Sequence, residues 1–224
     1  MNWKPVGPNA RHGTELGMLP KIGIIDYRAR NSESVAAALA AINIPFELVS
    51  SPECLAAVDA IVMPGVGSAG ATMDSLDELD LIAPMTEFVM ERRRPYLGIC
   101  VGLQIVFSHS EEGDASCLGW LPGTVRQFCE ATVRVPQIGW NEVQKARDHP
   151  IFGGIGRGCY AYFVNSYHAF PEQDDVVIGT VDYGGRSTAV IGKDNVWATQ
   201  FHVEKSGPVG LRMLHNFAIE GAKC

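Results

Sequence analysis

The sequence lacks any long run of apolar residues and any charged leader followed by an apolar stretch. No segment approaches the roughly 20 apolar residues that a membrane-spanning helix needs. No signal-peptide pattern precedes the first predicted strand either. We therefore expect a cytoplasmic protein without a membrane partner.

Basic residues are also few. The chain of 224 residues carries 18 Lys and Arg against 25 Asp and Glu, which gives a formal net charge of −7. Sequence-independent binding of nucleic acid needs a basic stripe over the phosphates, so we expect no nucleic-acid partner. The basic cluster Arg92-Arg93-Arg94 is better explained as the end of a helix, where cations suit the helix dipole.

The six cysteines include no C-x-x-C pair, the spacing that is typical of metal sites and redox motifs. We find no other metal-ligand spacing, so no metal is expected. A domain of this size can bury its own core without disulfides. The cysteine pattern therefore indicates free thiols in a reducing compartment.

What the chain does contain is the composition of one globular domain, with 46% apolar and 19% charged residues. Residues 1–20 are polar, lack any period and are interrupted by proline and glycine, so we expect a flexible N-terminal extension. A single domain is predicted over residues 21–224.

Short apolar segments alternate with helix-like segments in the first half of this domain. Strands are predicted at 21–26, 46–49, 60–63 and 95–99, and helices at 34–42 and 81–94. The alternation predicts an α/β fold with a central, mostly parallel sheet flanked by helices. In the C-terminal half, β-rich runs predict additional antiparallel strands at 131–135, 160–164, 176–181 and 196–201, before a last helix at 209–219.

A tight turn around Cys100, with Gly98 and Gly102 on either side, joins the strand at 95–99 to a helix predicted over 101–107. The glycines let strand and helix pass closely while the turn displays the cysteine. The positive end of the helix dipole favours a thiolate, and the Val101 N–H can form half of an oxyanion hole. A buried structural cysteine is the alternative that these residues leave open.

A nucleophilic thiol needs a base, and His202 is the best placed of the six histidines. It follows the predicted strand at 196–201, at the edge where parallel sheets carry their sites. Glu204 lies two residues later, so in extended backbone its carboxylate projects to the same side and can orient the imidazole. A surface His-x-Glu pair is the alternative. The other histidines have no obvious orienting acid: His12, His109, His149, His168 and His215.

A glycine-rich segment at 64–70 matches G-x-G-x-x-G. It follows the third predicted strand instead of the first, and Pro64 opens the turn. The acidic residue about twenty positions on, Glu87, falls inside a predicted helix and not at a strand end, so we reject a dinucleotide-binding loop. We instead expect a mobile loop beside Cys100 that turns a backbone N–H toward the oxyanion. A simple tight turn is the alternative.

Together these residues resemble the class I glutamine amidotransferases. The resemblance rests on the Cys100 turn, the loop at 64–67 and the pair His202-x-Glu204. Three further segments, at 136–141, 162–167 and 202–207, are similar to the glutaminase subunits of imidazole glycerol phosphate synthase, an enzyme of histidine biosynthesis. The similarity extends over about residues 21–219.

The resemblance implies that Cys100 attacks the side-chain amide of glutamine and that His202, oriented by Glu204, protonates the departing ammonia. Water would then hydrolyse the glutamyl thioester. The implied oxyanion hole is formed at Val66, Gly67 and Val101, and glutamine is held by Gly65, Gln104, Ser166 and Tyr167. No metal or organic cofactor is implied.

The resemblance also implies a partner. In this family the ammonia passes to a (βα)₈ cyclase subunit, which forms imidazole glycerol phosphate and an aminoimidazole carboxamide ribotide. We therefore expect a heterodimer. The residues that match the family's interface are Asn31, Pro136, Trp140, Asn141, Tyr162 and Lys205.

Three positions depart from the family pattern. Arg30 stands where glycine is usual, Asn165 where a histidine is frequent, and Val203 replaces the proline of a His-Pro-Glu motif. Arg30 and Asn165 are expected toward the partner, so they bear on coupling to the cyclase more than on glutaminase chemistry.

Three alternative functions stay open from the sequence. The first is a paralogue that supplies ammonia for sugar amidation in surface polysaccharide synthesis. The second is a catalytically silent scaffold for the cyclase, and the third is a related cysteine hydrolase that acts on peptides or small aldehydes.

Overall fold

The computed structural model describes residues 19–27 and 31–221. The extension expected at the N-terminus falls almost entirely, at residues 1–18, outside the described residues, as do Arg30 and residues 222–224. The strands of the described part are β1 (Ile22–Ile25), β2 (Phe46–Val49), β3 (Ala60–Met63), β4 (Tyr96–Ile99), β5 (His109–Ser110), β6 (Ala115–Ser116), β7 (Gly123–Gln127), β8 (Gln137–Lys145), β9 (Gly158–Asn165), β10 (Tyr167–Pro171), β11 (Val177–Asp182), β12 (Arg186–Lys193) and β13 (Val196–Thr199). The helices are α1 (Ser32–Ala41), α2 (Ala69–Glu78), α3 (Ile82–Thr86), α4 (Val101–Gln104) and α5 (Gly207–Glu220).

Nine of these strands form one sheet in the order β2-β1-β3-β4-β13-β12-β11-β8-β9. The pairings from β2 to β13 are parallel, and those from β13 to β9 are antiparallel. A second sheet has the order β10-β7-β5-β6. The α/β fold with antiparallel strands added in the C-terminal half is therefore confirmed.

The central strands bury both of their faces, as parallel strands covered by helices do. Alternate residues point to opposite faces: Ile24 and Val62 enter a core with α1 and α5, and Ile25 and Met63 enter a core with α2, α3 and the smaller sheet. This alternation explains why the strands read as continuous apolar runs in the sequence.

Most of the predicted elements are confirmed, since the strands at 46–49 and 60–63 are β2 and β3 and the helix at 34–42 is α1. The helix at 81–94 is α3 followed by a π-helical turn, Glu87–Glu91. The helix predicted over 101–107 ends at Gln104, because the carbonyls of Ile105, Val106 and Phe107 accept hydrogen bonds from the segment at 118–121 instead.

The strand predicted at 131–135 is wrong. The Cys129 carbonyl accepts the N–H groups of Thr132 and Val133 and the Thr132 hydroxyl, so local hydrogen bonds make this segment a turn. Helix α2 was not predicted. It begins after Ser68, whose hydroxyl accepts the Ala71 N–H at 3.3 Å and caps the helix.

Helix α5 packs closely on the 3₁₀ turn Val203–Lys205, which follows β13 and carries Glu204. Gly210 makes this approach possible. A Cβ at this position would collide with the Val203 carbonyl oxygen, and a backbone atom cannot rotate away as a side chain can. The position of Glu204 therefore depends on a helix glycine.

We predict that Gly210→Ala lowers the free energy of unfolding by about 1–3 kcal/mol through overpacking, although alanine is the better helix former by about 1 kcal/mol. Chemical denaturation measures this change. The control is Gly70→Ala in α2, whose Cβ would meet only Ala115 Cβ at 3.6 Å, an ordinary contact. The control should be as stable as the wild type or more so, and a stable Gly210→Ala would contradict the close packing.

Candidate active site

Cys100 lies between β4 and α4 in a strained backbone conformation. Its φ of 55° and ψ of −108° belong to a region that residues with a side chain rarely adopt. The Cys100 N–H donates to the Thr199 carbonyl at 2.8 Å, and its own carbonyl accepts the Leu103 N–H at 2.9 Å. Hydrogen bonds to β13 and α4 therefore hold the turn in this conformation.

Glycines on three neighbouring segments allow the backbone to pack around this turn. A Cβ at Gly98 would collide with the Gly102 carbonyl, and a Cβ at Gly102 would collide with the Met63 carbonyl. At Gly65 a Cβ would collide with the side chain of Val101. The loop after β3 and the end of β4 therefore pack closely against α4, an approach that a side chain at any of these three glycines would obstruct.

His202 and Glu204 form a buried pair beside Cys100. The distance between His202 Nδ1 and Glu204 Oε1 is 2.8 Å, and the two side chains are 3% and 0% exposed. Since Nδ1 faces the carboxylate, the other ring nitrogen is left for the hydrogen bond with the Cys100 sulfur. The structure thus brings together the three residues that the sequence proposes as nucleophile, base and orienting acid.

Electrostatics favours the charged forms of this pair. Burial lowers the pKa of His202, but hydrogen bonds from the imidazole to Cys100 and Glu204, and their negative charges, outweigh it and raise the pKa to about 9. Burial raises the pKa of Glu204, but the hydrogen bond and positive charge of His202 reverse this and lower it below 4.5. His202 can therefore carry a proton at neutral pH.

Two buried amides contact these residues. The Asn31 Nδ2 donates to Glu204 Oε1 at 3.1 Å, although Asn31 was expected at a partner interface. The Gln200 Nε2 lies 3.8 Å from the Cys100 sulfur, and its Oε1 accepts from the Gln104 Nε2 at 3.4 Å. The sequence did not lead us to predict Gln200. The pattern that could have indicated it is a polar residue at the end of a buried strand, two positions before His202.

A cavity of about 380 Å³ opens beside the Cys100 sulfur. It contains most of the residues predicted to bind glutamine or its oxyanion, and it adds several that were not predicted. Its lining residues are Val66, Gly67, Ser68, Cys100, Gln104, Glu112, Pro136, Val164, Asn165, Ser166, Tyr167 and His202.

Two residues that the sequence placed toward a partner line the cavity instead. Asn165 was expected toward a partner, but it is 6% exposed and lines the cavity. Pro136, which matched an interface position, lines it as well. Gly65 and Val101, which were also predicted at the site, are not among the residues that line the cavity, and Val101 is 1% exposed.

The remaining predicted interface residues lie away from the cavity. Trp140 and Asn141 are on β8, Tyr162 is opposite Trp140 on β9, and Lys205 is exposed at the end of the 3₁₀ turn. The Trp140 and Tyr162 rings contact edge to face, with centroids 5.9 Å apart.

The other described histidines are placed differently from His202. Burial lowers the pKa of His149 to about 4. Burial and the charge of Arg126 also lower the pKa of His168 to about 4. His109 does have an acidic neighbour, Asp114 at 3.4 Å, but the Asp114 side chain is 97% exposed and the pair lies at the smaller sheet. None of these three lines the cavity at Cys100.

Within residues 19–27 and 31–221, no three His, Cys, Asp or Glu side chains are grouped so as to hold a metal ion. No helix of the same part of the chain is long and apolar enough to span a membrane.

Comparison with known proteins gives one consistent result. A family model described as glutamine amidotransferase class-I matches residues 23–220. The chain is 41% identical over 201 residues to the imidazole glycerol phosphate synthase subunit HisH of Leptospira interrogans, covering 88% of this chain and 98% of that protein. It is 42% identical over 197 residues to the HisH subunit of Dehalococcoides mccartyi, covering 88% and 95%.

The fold is also shared with solved structures. A crystal structure of a glutamine amidotransferase superposes with a TM-score of 0.72 at 18% identity, covering 91% of this chain and 99% of that one. Because the family model matches most of the chain and the relatives match over nearly their full length, the chain belongs to the class-I glutamine amidotransferases and, within them, to the HisH subunits of imidazole glycerol phosphate synthase.

Proposed function

We propose that the chain hydrolyses glutamine to glutamate and ammonia through a thioester at Cys100, and that a cyclase subunit receives the ammonia. The observation that carries this proposal is the arrangement of Cys100 and the His202–Glu204 pair in one cavity. The relatives named above supply the acceptor reaction, that of imidazole glycerol phosphate synthase.

In the first step the Cys100 sulfur attacks the amide carbon of glutamine, and the new C–S bond gives a tetrahedral oxyanion. The C–N bond breaks when this intermediate collapses to the thioester. His202 gives its proton to the departing nitrogen, which leaves as ammonia. A pKa of about 9 keeps this proton available at neutral pH. The neutral imidazole then takes a proton from water, whose oxygen attacks the thioester and releases glutamate and the thiol.

The oxyanion of both steps needs two donors. The Val101 N–H follows the nucleophile directly and supplies one of them. For the second we propose the loop at Val66 and Gly67, which lines the cavity. Gly67 has a φ of 105°, a conformation that favours glycine, so this loop can turn an N–H inward at low steric cost.

The amino-acid end of glutamine is proposed to lie toward Glu112, Ser166 and Tyr167. Glu112 is the acidic residue in the cavity wall, and its carboxylate suits the substrate's α-ammonium group. The Ala69 N–H donates to this carboxylate at 3.3 Å and holds it in place. Gln104 donates to the Tyr167 carbonyl at 3.1 Å and so fixes the wall opposite Cys100.

The proposed cyclase surface is the exposed face of the β8–β9 hairpin, at the edge of the nine-stranded sheet. Ile138 is 62% exposed, Trp140 53% and Tyr160 60%. Ile138 lies opposite Val164 and Trp140 opposite Tyr162, so their side chains share one face. An apolar patch at a sheet edge is typical of a protein interface.

We place this enzyme in the reducing interior of the cell. Its proposed nucleophile is a free thiol, and oxidation of that thiol would block attack on the amide.

We predict that Cys100→Ser lowers glutamine-dependent turnover of the complex with a cyclase by at least about a thousandfold, because the attacking sulfur is lost. Turnover with ammonium salts should persist, since the cyclase needs only ammonia. Product formation from both nitrogen sources measures the effect, with Cys54→Ser, a partly exposed thiol away from the cavity, as control. Glutamine-dependent turnover by the variant would exclude the thioester mechanism.

The charged pair predicts a pH-dependent stability. His202 binds its proton more tightly in the folded chain, because its pKa is raised from 6.5 to about 9. This contribution is complete below about pH 6.5 and is lost as the pH rises through about 9. We therefore predict that Glu204→Gln is destabilised most below about pH 6.5 and that the deficit shrinks toward pH 9. Urea denaturation across this range tests it; a deficit independent of pH would contradict it.

The interface proposal predicts that Ile138→Asp raises the Kd for the cyclase by about tenfold or more, because a charge would be buried at the centre of the contact. Titration calorimetry with the cyclase measures this. The matched control is Leu48→Asp, since Leu48 is 45% exposed on β2, the opposite edge strand of the same sheet. Equal effects of the two substitutions would rule out the hairpin as the docking surface.

A further inference from the structure

The Glu204 carboxylate is held by only one of its two oxygens. Oε1 accepts from His202 Nδ1 at 2.8 Å and from Asn31 Nδ2 at 3.1 Å. Oε2 is buried and has no hydrogen-bond partner among residues 19–27 and 31–221. A carboxylate fixed at one oxygen can still rotate about its side-chain bonds, so the second donor to Oε1 decides where that oxygen lies.

Asn31 occupies a position at which an asparagine side chain normally caps its own helix. It is the N-cap residue of α1, and asparagine is among the preferred residues there because its side chain accepts a backbone N–H of the first turn. Asn31 makes no such bond. Its amide instead points to Glu204, and since a carboxylate only accepts hydrogen bonds, the atom facing Oε1 is the Nδ2 donor.

The surroundings hold Asn31 in this orientation. It is 4% exposed, and the neighbouring Ser32 hydroxyl donates to Asp26 Oδ1 at 3.1 Å, which ties the start of α1 to the end of β1. The Asn31 amide is therefore fixed in place where it donates to Glu204, although the two residues are 173 positions apart in the sequence.

We propose that Asn31 is a positioning residue, which holds the Glu204 carboxylate so that His202 keeps the orientation needed to exchange a proton at Cys100. This role rests on the glutaminase mechanism proposed above. Asn31 acts through Glu204 and His202 and does not touch the substrate.

Three elements pack against the 3₁₀ turn: α1, α5 and β9. The other ionisable residues of these elements and of the turn are Glu33, Cys159, Tyr160, Tyr162, Lys205, Arg212, His215 and Glu220. Burial raises the pKa of Glu204, but the hydrogen bond and charge of His202 and the hydrogen bond from Asn31 lower it. Beyond Glu204 itself, His202 and Asn31 are therefore the residues that favour the charged carboxylate.

Two substitutions separate positioning from helix capping. Asn31→Ser keeps a good capping residue but is too short to reach Glu204. Asn31→Asp is also a good cap and suits the helix dipole, but it places a second carboxyl group against Glu204. Two facing carboxylates share one proton. The protonated Asp can donate to Glu204 as the amide does, and loss of that proton at higher pH leaves two repelling charges.

The test measures glutamine hydrolysis by the full chain with its cyclase, and in parallel the rate at which iodoacetamide alkylates Cys100. We expect Asn31→Ser to lower kcat by about tenfold at every pH and to leave KM unchanged. The reason for the tenfold loss is that one hydrogen bond to a charged group is removed. For Asn31→Asp, the ratio of its kcat to that of the wild type should fall by at least about tenfold between pH 6 and pH 9.

The control is Asn216→Ser. Asn216 is a buried amide that donates only to the carbonyls of Ile151 and Gly153, away from the cavity. It should lower the melting temperature without changing the pH profile. A capping role predicts full activity for both Asn31 variants at every pH, and that result would overturn the proposal.

The two readouts separate this proposal from the proposed function. If the wild type does not hydrolyse glutamine, the function fails, and the alkylation rates still test the positioning. Slower alkylation of Cys100 in Asn31→Ser, and slowing that grows with pH in Asn31→Asp, would support it. Alkylation at the wild-type rate in both variants would overturn it.

Discussion

The close contact of three backbone segments at Gly65, Gly98 and Gly102 is the constraint on which the site depends. The loop after β3 and the end of β4 pack directly against α4, and Cys100 is held at φ 55°. The strain is tolerated because parallel neighbours on both sides of β4 fix its position in the sheet. The backbone packing around Cys100 therefore sets the direction of its side chain.

The second requirement is a stable charge next to that turn. Burying a carboxylate and an imidazolium is costly unless each is paired and hydrogen-bonded. His202 and Glu204 pair with each other, and their pKa values move apart in the direction that preserves both charges. Gly210 lets α5 press on the turn that carries Glu204, so the core of the fold supports the pair from behind.

The sequence predicts those parts of the site that local patterns determine. The Cys100 turn, the His202-x-Glu204 spacing and the loop at Val66 all follow from short segments at the ends of predicted strands. Parallel strands place such ends at one edge of the sheet. In the same way β3 could be predicted, since a buried parallel strand is a continuous apolar run.

The contacts that the sequence did not predict join distant segments. Asn31 contacts Glu204, which lies 173 residues further along the chain, and Gln200 contacts Cys100, which lies 100 residues before it. No local period marks such a polar residue as part of a site. The false strand at 131–135 has a related cause: its β-branched residues favour a strand, but hydrogen bonds to the Cys129 carbonyl close a turn that propensity alone does not show.

Strand β9 links the proposed catalytic residues to the exposed face of the hairpin. Its Tyr162 carbonyl accepts the His202 N–H at 3.0 Å, and its Val164 carbonyl lies 3.8 Å from the Cys100 sulfur, which donates to it. The side chains of the same two residues lie opposite Trp140 and Ile138 on β8. A protein that binds the exposed face of this hairpin would therefore contact the strand whose carbonyls accept hydrogen bonds from both Cys100 and His202. The proposed docking surface and the proposed catalytic residues thus share one strand, β9.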